Sequence, residues 1–287
     1  MKARSVWVQH LQYAYQRHRV ELEMNDQPKI LAIDDEEVII ESIVRLLTAE
    51  GLNVDTSLTA DEALLKIGKY KYHLIITDLM MPRMDGFQLL SKLNEQIIEI
   101  PVIVTTGYST MENAVRSLYE GAIDFLPKPF TIDELLSCVQ RGLNYGKIVG
   151  LYSKNEQADK INYVNCPVDY YRLGYNSWAS IQNDGAIRIG VTDLFLKTIQ
   201  TINRIELQPI DFEVIQGNAC AQIETQANLI HNILSPVSGR IININKNIKE
   251  QQNIVEKDPY FEGWFYTIIP SDLEYELKHL ISCSSDR

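Results

Sequence analysis

Several features are scarce in this sequence, and their scarcity narrows the class of protein. No apolar run approaches ~18 residues, the length that crosses a bilayer as a helix, so we expect no membrane-spanning segment. The 287 residues include only four cysteines, which lie far apart and form no CxxC pair. This spacing fits reduced thiols in a cytoplasmic protein better than a disulfide framework or a zinc site.

Basic residues are also in short supply. The 27 Lys and Arg against 38 Asp and Glu give a net charge of −11, and no Lys/Arg-rich run appears. This charge disfavours attraction to nucleic acid or to an anionic membrane surface. We therefore expect neither nucleic acid nor membrane among the partners. The apolar fraction of 45% is typical of a globular chain, and the length suits one large domain or two ordinary ones.

Apolar runs alternate with helical patterns from residue 28 to residue 147. KILAI at 29–33 is almost entirely apolar, as expected of a parallel strand buried on both faces. Such alternation, with right-handed crossovers, predicts a doubly wound α/β domain over 28–147. Residues 1–27 are predicted to be an N-terminal extension, either a dimerising or docking helix or a segment that contributes little.

The pattern changes in the second half of the chain. Residues 148–168 are mixed and polar, which predicts a linker. From 169 to 287 short alternating strands are separated by turn signals such as Asp184-Gly185, which predicts a β-rich domain. The helices expected in this domain span 193–202 and 271–281.

Charged and hydroxyl side chains end four of the five predicted strands in the first domain. They are Asp34, Asp35, Asp78, Thr105, Thr106 and Lys128. Because the carboxyl ends of parallel strands open on one crevice, we expect these side chains to meet. Carboxylates that share a pocket require a cation, and oxygen ligands suit Mg²⁺. The set predicts a receptor for a phosphoryl group, with an Asp carboxylate as nucleophile.

The motifs that carry these residues are IDDEE, IITDLMMPRMDG, VTTGYST and FLPKPFT. In this order and spacing they resemble the receiver domain of two-component response regulators, which has a flavodoxin-like fold. The resemblance implies that Asp78 accepts a phosphoryl group from a sensor histidine kinase. It also implies that Thr106 and Lys128 contact that group, and that the Lys128–Pro129 peptide is cis.

The same resemblance assigns the metal and the switch. Asp35, with Asp34 and Asp78 and the backbone carbonyl of Met80, would hold Mg²⁺. Phe125 occupies the aromatic switch position and would swing into the space that Thr106 leaves on phosphorylation. Receivers often dimerise through the neighbouring helices, so a homodimer is an expectation by analogy. The alternative is a receiver that has lost phosphorylation.

The second half resembles the H protein of the glycine cleavage system, whose barrel-sandwich fold is related to lipoyl carrier domains. The resemblance rests on SWASIQNDGAIRIGVTDLF, GNACAQIET, SPVSGRI and DPYFEGWFY. An H protein carries lipoate on a lysine at a hairpin tip, but here Ala227 or Asn228 occupies that position, depending on the motif used for alignment. Amide attachment requires a primary amine, and the nearest lysines are Lys197 and Lys246, so lipoate is not expected.

The leading interpretation is a response regulator whose non-lipoylated output domain binds an unknown protein partner. The chain would be no enzyme beyond supporting its own phosphorylation and dephosphorylation. A regulated lipoyl carrier of glycine cleavage metabolism is the alternative, and a lipoyl mass shift would support it. A phosphoaspartyl phosphatase would need a carboxylate two residues after Asp78, where Met80 stands.

Tyr108 and Met80 border the expected phosphoryl position, two residues beyond Thr106 and Asp78. We predict that these bulky side chains shield the acyl phosphate from water. Replacing Tyr108 with Ala should therefore speed the decay of the phosphorylated protein, measured as loss of the phosphoryl mass with time. An unchanged decay rate would contradict the prediction.

Overall fold

The computed structural model describes residues 28–107, 110–151, 162–199 and 201–285. The extension expected at 1–27 and the side chain of Tyr108 lie outside these residues. The described residues form two compact units: residues 28–107 and 120–151 make up the first, and residues 110–119 and 162–285 the second. Within the described ranges, no helix has both the length and the apolar character needed to cross a membrane.

The first unit is built on a five-stranded parallel sheet with the order β2-β1-β3-β4-β5. Its strands are β1 (Lys29–Ile33), β2 (Asn53–Ser57), β3 (Leu74–Asp78), β4 (Val102–Thr106) and β5 (Asp124–Pro127). Every residue of β3 and β4 is buried, as a parallel sheet covered on both faces requires. All five strands expected from the apolar runs are confirmed.

Five helices alternate with these strands along the chain. They are α1 (Glu37–Ala49), α2 (Ala60–Ile67), α3 (Gly86–Glu95), α4 (Met111–Tyr119) and α5 (Ile132–Ile148). Side chains cap four of them: Thr59 and Thr110 accept from the Glu62 and Asn113 amides, while Asp85 and Thr131 form reciprocal capping boxes with Gln88 and Glu134. The predicted doubly wound α/β class is confirmed.

The second unit is rich in strands, as predicted. A seven-stranded sheet has the order β10-β13-β14-β8-β7-β6-β15, and a three-stranded sheet has the order β12-β11-β9. The strands are β6 (Tyr171–Leu173), β7 (Ser177–Ile181), β8 (Ile187–Val191), β9 (Ile202–Leu207), β10 (Glu213–Val214), β11 (Ala219–Thr225), β12 (Ile230–Leu234), β13 (Gly239–Ile244), β14 (Tyr266–Pro270) and β15 (Ile281–Ser282).

The helices of the second half depart from expectation. They are α6 (Asp193–Thr198), α7 (Asn247–Glu250), α8 (Ile254–Lys257) and α9 (Leu273–Glu276). The helix predicted at 193–202 stops at Thr198 because β9 begins at Ile202. The helix predicted at 271–281 is shorter: α9 begins at Leu273, a 3₁₀ turn follows it to His279, and then Ile281 and Ser282 pair with β6. Pairing with a neighbouring strand outweighs local helical preference there.

One tyrosine hydroxyl links the two sheets of the second unit. Tyr266 lies in β14 and is fully buried. Its hydroxyl accepts a hydrogen bond from the Gln208 amide at 2.7 Å and donates one to the Cys220 carbonyl at 2.8 Å. Cys220 lies in β11 of the three-stranded sheet, and Gln208 is the residue that follows β9 of the same sheet. Burial raises the pKa of Tyr266, which keeps the donating proton in place.

All four cysteines are buried. Burial raises the pKa of Cys220 to about 12 and raises the pKa of Cys138 further. Because the thiolate is the reactive form of cysteine, these two thiols are held in their unreactive state.

Replacing Tyr266 with Phe should lower the free energy of unfolding by about 1–3 kcal/mol, because the buried Cys220 carbonyl and the partly buried Gln208 amide lose their partner. Urea denaturation followed by circular dichroism would measure the loss. Tyr275 is 55% exposed in the same unit and provides the matched control. An equal effect of Tyr275→Phe, or no effect of Tyr266→Phe, would contradict the assignment.

Candidate functional site

Three predicted site residues meet at the carboxyl ends of the strands in the first unit. The Lys128 Nζ lies 2.6 Å from Asp34 Oδ2 and 2.6 Å from Asp78 Oδ1. Asp34 is only 1% exposed and Asp78 only 4%. A single ammonium therefore bridges two buried carboxylates that come from different strands.

Backbone amides hold the remaining oxygen of each carboxylate. Asp34 Oδ1 accepts from the Glu36 amide at 3.0 Å, and Asp78 Oδ2 accepts from the Met80 amide at 2.5 Å. Each carboxylate is thus fixed by one charged side chain and one amide two residues later. Such paired contacts set the orientation of both groups before any ligand arrives.

The predicted hydroxyl position lies on the neighbouring strand. Thr106 is fully buried at the end of β4, and its carbonyl accepts from the Lys128 amide at 2.8 Å. The other candidate hydroxyl, Thr105, donates to the Thr77 carbonyl at 3.3 Å. The structure thus places Thr106 and Lys128 side by side across the β4–β5 pair.

The expected cis peptide and the expected switch residue lie at and just after β5. The Lys128–Pro129 peptide is cis, as expected. Phe125 is partly buried and packs against the hydrophobic core of the first unit. Phe125 therefore lies on the same short strand that delivers Lys128 to the two carboxylates.

Opposing effects set the protonation of the bridging groups. Burial is the largest influence on Asp34 and raises its pKa, although Lys128 and the Glu36 amide partly offset it. Burial alone would lower the pKa of Lys128, but hydrogen bonds to Asp34 and Asp78 outweigh it, so the net shift is upward. Lys128 therefore stays protonated, and two acidic groups face a single ammonium.

The expected metal ligands are only partly brought together. Asp34 and Asp78 converge on Lys128, whereas Asp35 is exposed. Among the described residues, no group of three or more acidic, histidine or cysteine side chains lies close enough to hold a metal. Mg²⁺ needs only one or two protein carboxylates because it keeps several waters. Two convergent carboxylates with one ammonium fit that requirement.

Gly86 is a site residue that the sequence reasoning missed. A Cβ at this position would lie 2.7 Å from the Asp78 carbonyl oxygen and 3.0 Å from the Leu79 Cα. The Gly86 amide also donates to the Leu79 carbonyl at 2.9 Å. Glycine therefore lets the start of α3 lie against the backbone of the candidate nucleophile. The sequence signal for this close approach was the Asp85-Gly86 pair, a helix cap followed by glycine, between β3 and α3.

The hairpin of the second unit has a tight, exposed tip. Strands β11 and β12 pair antiparallel, and the Thr225 amide donates to the Leu229 carbonyl at 3.0 Å. Gln226, Ala227 and Asn228 between them are exposed, and Asn228 has φ +60°. The residue in the left-handed region closes the turn, as in three-residue hairpin loops. None of these three side chains carries an amine.

Two family models match this chain over separate ranges. Residues 30–140 match the response regulator receiver domain. Residues 170–285 match the glycine cleavage H-protein. The two matches correspond to the two resemblances drawn from the sequence motifs.

Relatives and solved structures match one part of the chain at a time. The DNA-binding transcriptional regulator NtrC of Proteus hauseri is 34% identical over 116 residues, which are 40% of this chain and 24% of that protein. The response regulator MprA of Mycobacterium leprae is 34% identical over 112 residues, which are 39% and 49% of the two chains. This chain therefore covers less than half the length of these curated relatives.

Solved structures of both a receiver domain and an H protein match this chain. A response regulator receiver domain protein of Clostridium thermocellum has 31% identity and a TM-score of 0.40, covering 42% of this chain and 98% of that one. A glycine cleavage system H protein of Mycobacterium marinum has 22% identity and a TM-score of 0.38, covering 42% of this chain and 94% of that one.

Replacing Gly86 with Ala should lower the free energy of unfolding by about 1–3 kcal/mol, because the added methyl group forces the Asp78 backbone to move. This loss should appear despite the higher helix propensity of alanine. Chemical denaturation monitored by circular dichroism would measure it.

Gly107, the residue that follows β4, offers a matched control. Beyond its chain neighbours, none of the described atoms lies within 4 Å of a Cβ placed there. Gly107→Ala should therefore leave the denaturation midpoint almost unchanged. If the two variants lose stability equally, the close approach at Gly86 is not what requires glycine.

Proposed function

Because the chain contains a response regulator receiver domain and a glycine cleavage H-protein domain, we propose that it is a response regulator controlled by phosphorylation of Asp78. A sensor histidine kinase is the phosphoryl donor. The H-protein-like domain is the output and acts by binding a protein partner. The observation that carries the proposal is the Lys128 ammonium bonded to both Asp34 and Asp78.

The chemistry follows from the groups around Asp78. A carboxylate oxygen of Asp78 attacks the phosphorus of a phosphohistidine, forming the new P–O bond as the P–N bond breaks. The imidazole leaves with the electron pair of that bond. The Lys128 ammonium, which lies 2.6 Å from Asp78, would then contact the phosphoryl oxygens and stabilise their negative charge. Thr106, whose carbonyl accepts from the Lys128 amide, is the hydroxyl that would bind a further phosphoryl oxygen.

Receiver domains use Mg²⁺ for phosphorylation, and the two convergent carboxylates suit it. Asp34 and Asp78 would hold the ion, with Asp35 and the Met80 carbonyl completing the protein ligands. A bound Mg²⁺ supplies positive charge that offsets the charge of the phosphoryl group. Asp34 then has a cation beside it as well as Lys128, which favours its charged form.

The output domain keeps the presenting hairpin of a carrier without an attachment point. Gln226, Ala227 and Asn228 form the tip, and Ile230 beside it is 52% exposed. Lipoate requires a primary amine for its amide bond, so we propose that this domain carries no lipoate. An exposed tip with an adjacent apolar side chain suits contact with another protein. A homodimer through the receiver remains part of the proposal by analogy.

Intact-mass spectrometry after incubation with acetyl phosphate and Mg²⁺ tests the phosphorylation of Asp78. The same method tests the absence of lipoate. The wild-type chain should gain one phosphoryl group, and Asp78→Asn should gain none. The same spectrum of protein from cells supplied with lipoate should show no lipoyl mass.

Asp61 gives the matched control, since it is an exposed carboxylate in the same unit. Asp61→Asn should be labelled like the wild type. Equal labelling of Asp78→Asn would reject the phosphoacceptor assignment. A lipoyl mass would instead support the regulated carrier.

A further inference from the structure

The second unit has an open sheet edge beside its hairpin tip. In the part of the chain that the structure describes, β12 lies at one end of the three-stranded sheet and pairs with β11 alone. The other side of β12 therefore presents backbone groups that no neighbouring strand satisfies. Such an edge is a template for a further strand, and folded proteins commonly cover it.

Two side chains cover the half of this edge that lies away from the tip. Asn176 Oδ1 accepts from the Leu234 amide at 2.9 Å, and Asn176 Nδ2 donates to the Asn232 carbonyl at 3.3 Å. Ser177 Oγ donates to the Leu234 carbonyl at 2.6 Å. Three outward backbone groups of β12 are thus satisfied without a partner strand.

The half of the edge next to the tip is not covered in this way. The Leu229 carbonyl accepts from the Thr225 amide and so faces β11, which turns the Ile230 amide and carbonyl to the open side. The Asn232 amide points to the same side as the Asn232 carbonyl. These three groups have no hydrogen-bond partner within residues 162–199 and 201–285 apart from the covered carbonyl. Ile230 is 52% exposed and Asn232 is exposed, so another chain can reach them.

We propose that residues 230–232, the open edge, are a docking site where an extended segment of a partner protein adds as a fourth strand. This inference rests on the proposed function, which assigns partner binding to this domain, and it specifies the mode of contact. Two donors and one acceptor at strand spacing match the main chain of an extended peptide. The Ile230 side chain beside them favours an apolar residue in the incoming segment.

The length of the open edge favours a partner segment over a second copy of this chain. Ile230 and Asn232 lie about 7 Å apart along the strand, so the main chain of about three residues fits there. A stable interface buries about 1,200–2,000 Å² in total, which an edge of this length does not supply by itself. A short extended segment needs only the hydrogen bonds and one apolar contact.

Amide hydrogen exchange of the full-length protein tests the docking site with a defined probe. The probe is the acetylated and amidated peptide Lys-Ile-Thr-Ile-Thr-Ile-Lys, and the control peptide has the same sequence with every internal amide nitrogen methylated. The probe should slow exchange of the Ile230 amide about 2-fold at a concentration equal to its Kd, because half of the protein is then bound. The methylated peptide lacks the donors and should leave the exchange unchanged.

A pair of variants at Asn232 tests the hydrogen bonds from the protein side. Asn232→Pro removes the open donor, and proline is tolerated on an edge strand where the amide faces solvent. It should weaken binding of the probe about 2- to 10-fold, the loss expected for one hydrogen bond. Asn232→Thr is the matched control, because it keeps the amide and loses the same side-chain contact with Gln222. It should bind the probe like the wild type.

Circular dichroism establishes that both variants are folded, and the two peptides on the wild type decide the question even if Asn232→Pro fails to fold. Equal protection of the Ile230 amide by both peptides, or no protection by either, would overturn the inference. Equal affinity of the two folded Asn232 variants would do the same. These results would leave the proposed function standing if acetyl phosphate still labels Asp78. A chain that acetyl phosphate cannot label would instead refute the proposed function.

Discussion

The ammonium of Lys128 lies between two buried carboxylates, and the geometry of the first unit follows from keeping that contact. Asp34, Asp78 and Lys128 come from strands that are not all neighbours, since β4 separates β3 from β5. Parallel strands must therefore end at the same level for the three groups to meet. Burying two carboxylates side by side costs free energy, which the shared ammonium and the backbone amides offset. The alignment of the strand ends therefore both shapes the sheet and assembles the site.

Much of this arrangement could be predicted from the sequence because its signals are local. Apolar runs followed by polar residues indicate where parallel strands end, and the strand ends point to Asp78, to Thr105 with Thr106, and to Lys128. The choice of Thr106 came from the receiver resemblance. The choice between Asp34 and Asp35 could not be made that way. Regular strand geometry stops at Ile33, so alternation no longer tells which carboxylate turns inward. Only the fold assigns Asp34 to the interior and Asp35 to solvent.

Contacts between distant residues carry no such signal. Asp124 and Arg141 form a buried ion pair, but they are 17 residues apart and lie on different kinds of element, so no periodic pattern links them. The sequence around Tyr266 likewise predicts only an ordinary strand residue. Its hydroxyl contacts with Gln208 and Cys220 depend on how the two sheets pack. The helix predicted at 271–281 ends early for the same reason, because Ile281 and Ser282 pair with β6. Local preference predicts elements, whereas sheet partners and buried pairs depend on the assembled chain.

The burial of all four cysteines has a practical consequence for spectroscopy. Thiol-specific dyes and spin labels react with accessible thiolates, and the native cysteines offer them little. A single cysteine introduced at an exposed position, such as Ala227 at the hairpin tip, would carry a probe with little background labelling. The chain is thereby suited to distance measurements on its native cysteine background, without prior removal of buried side chains that the core needs.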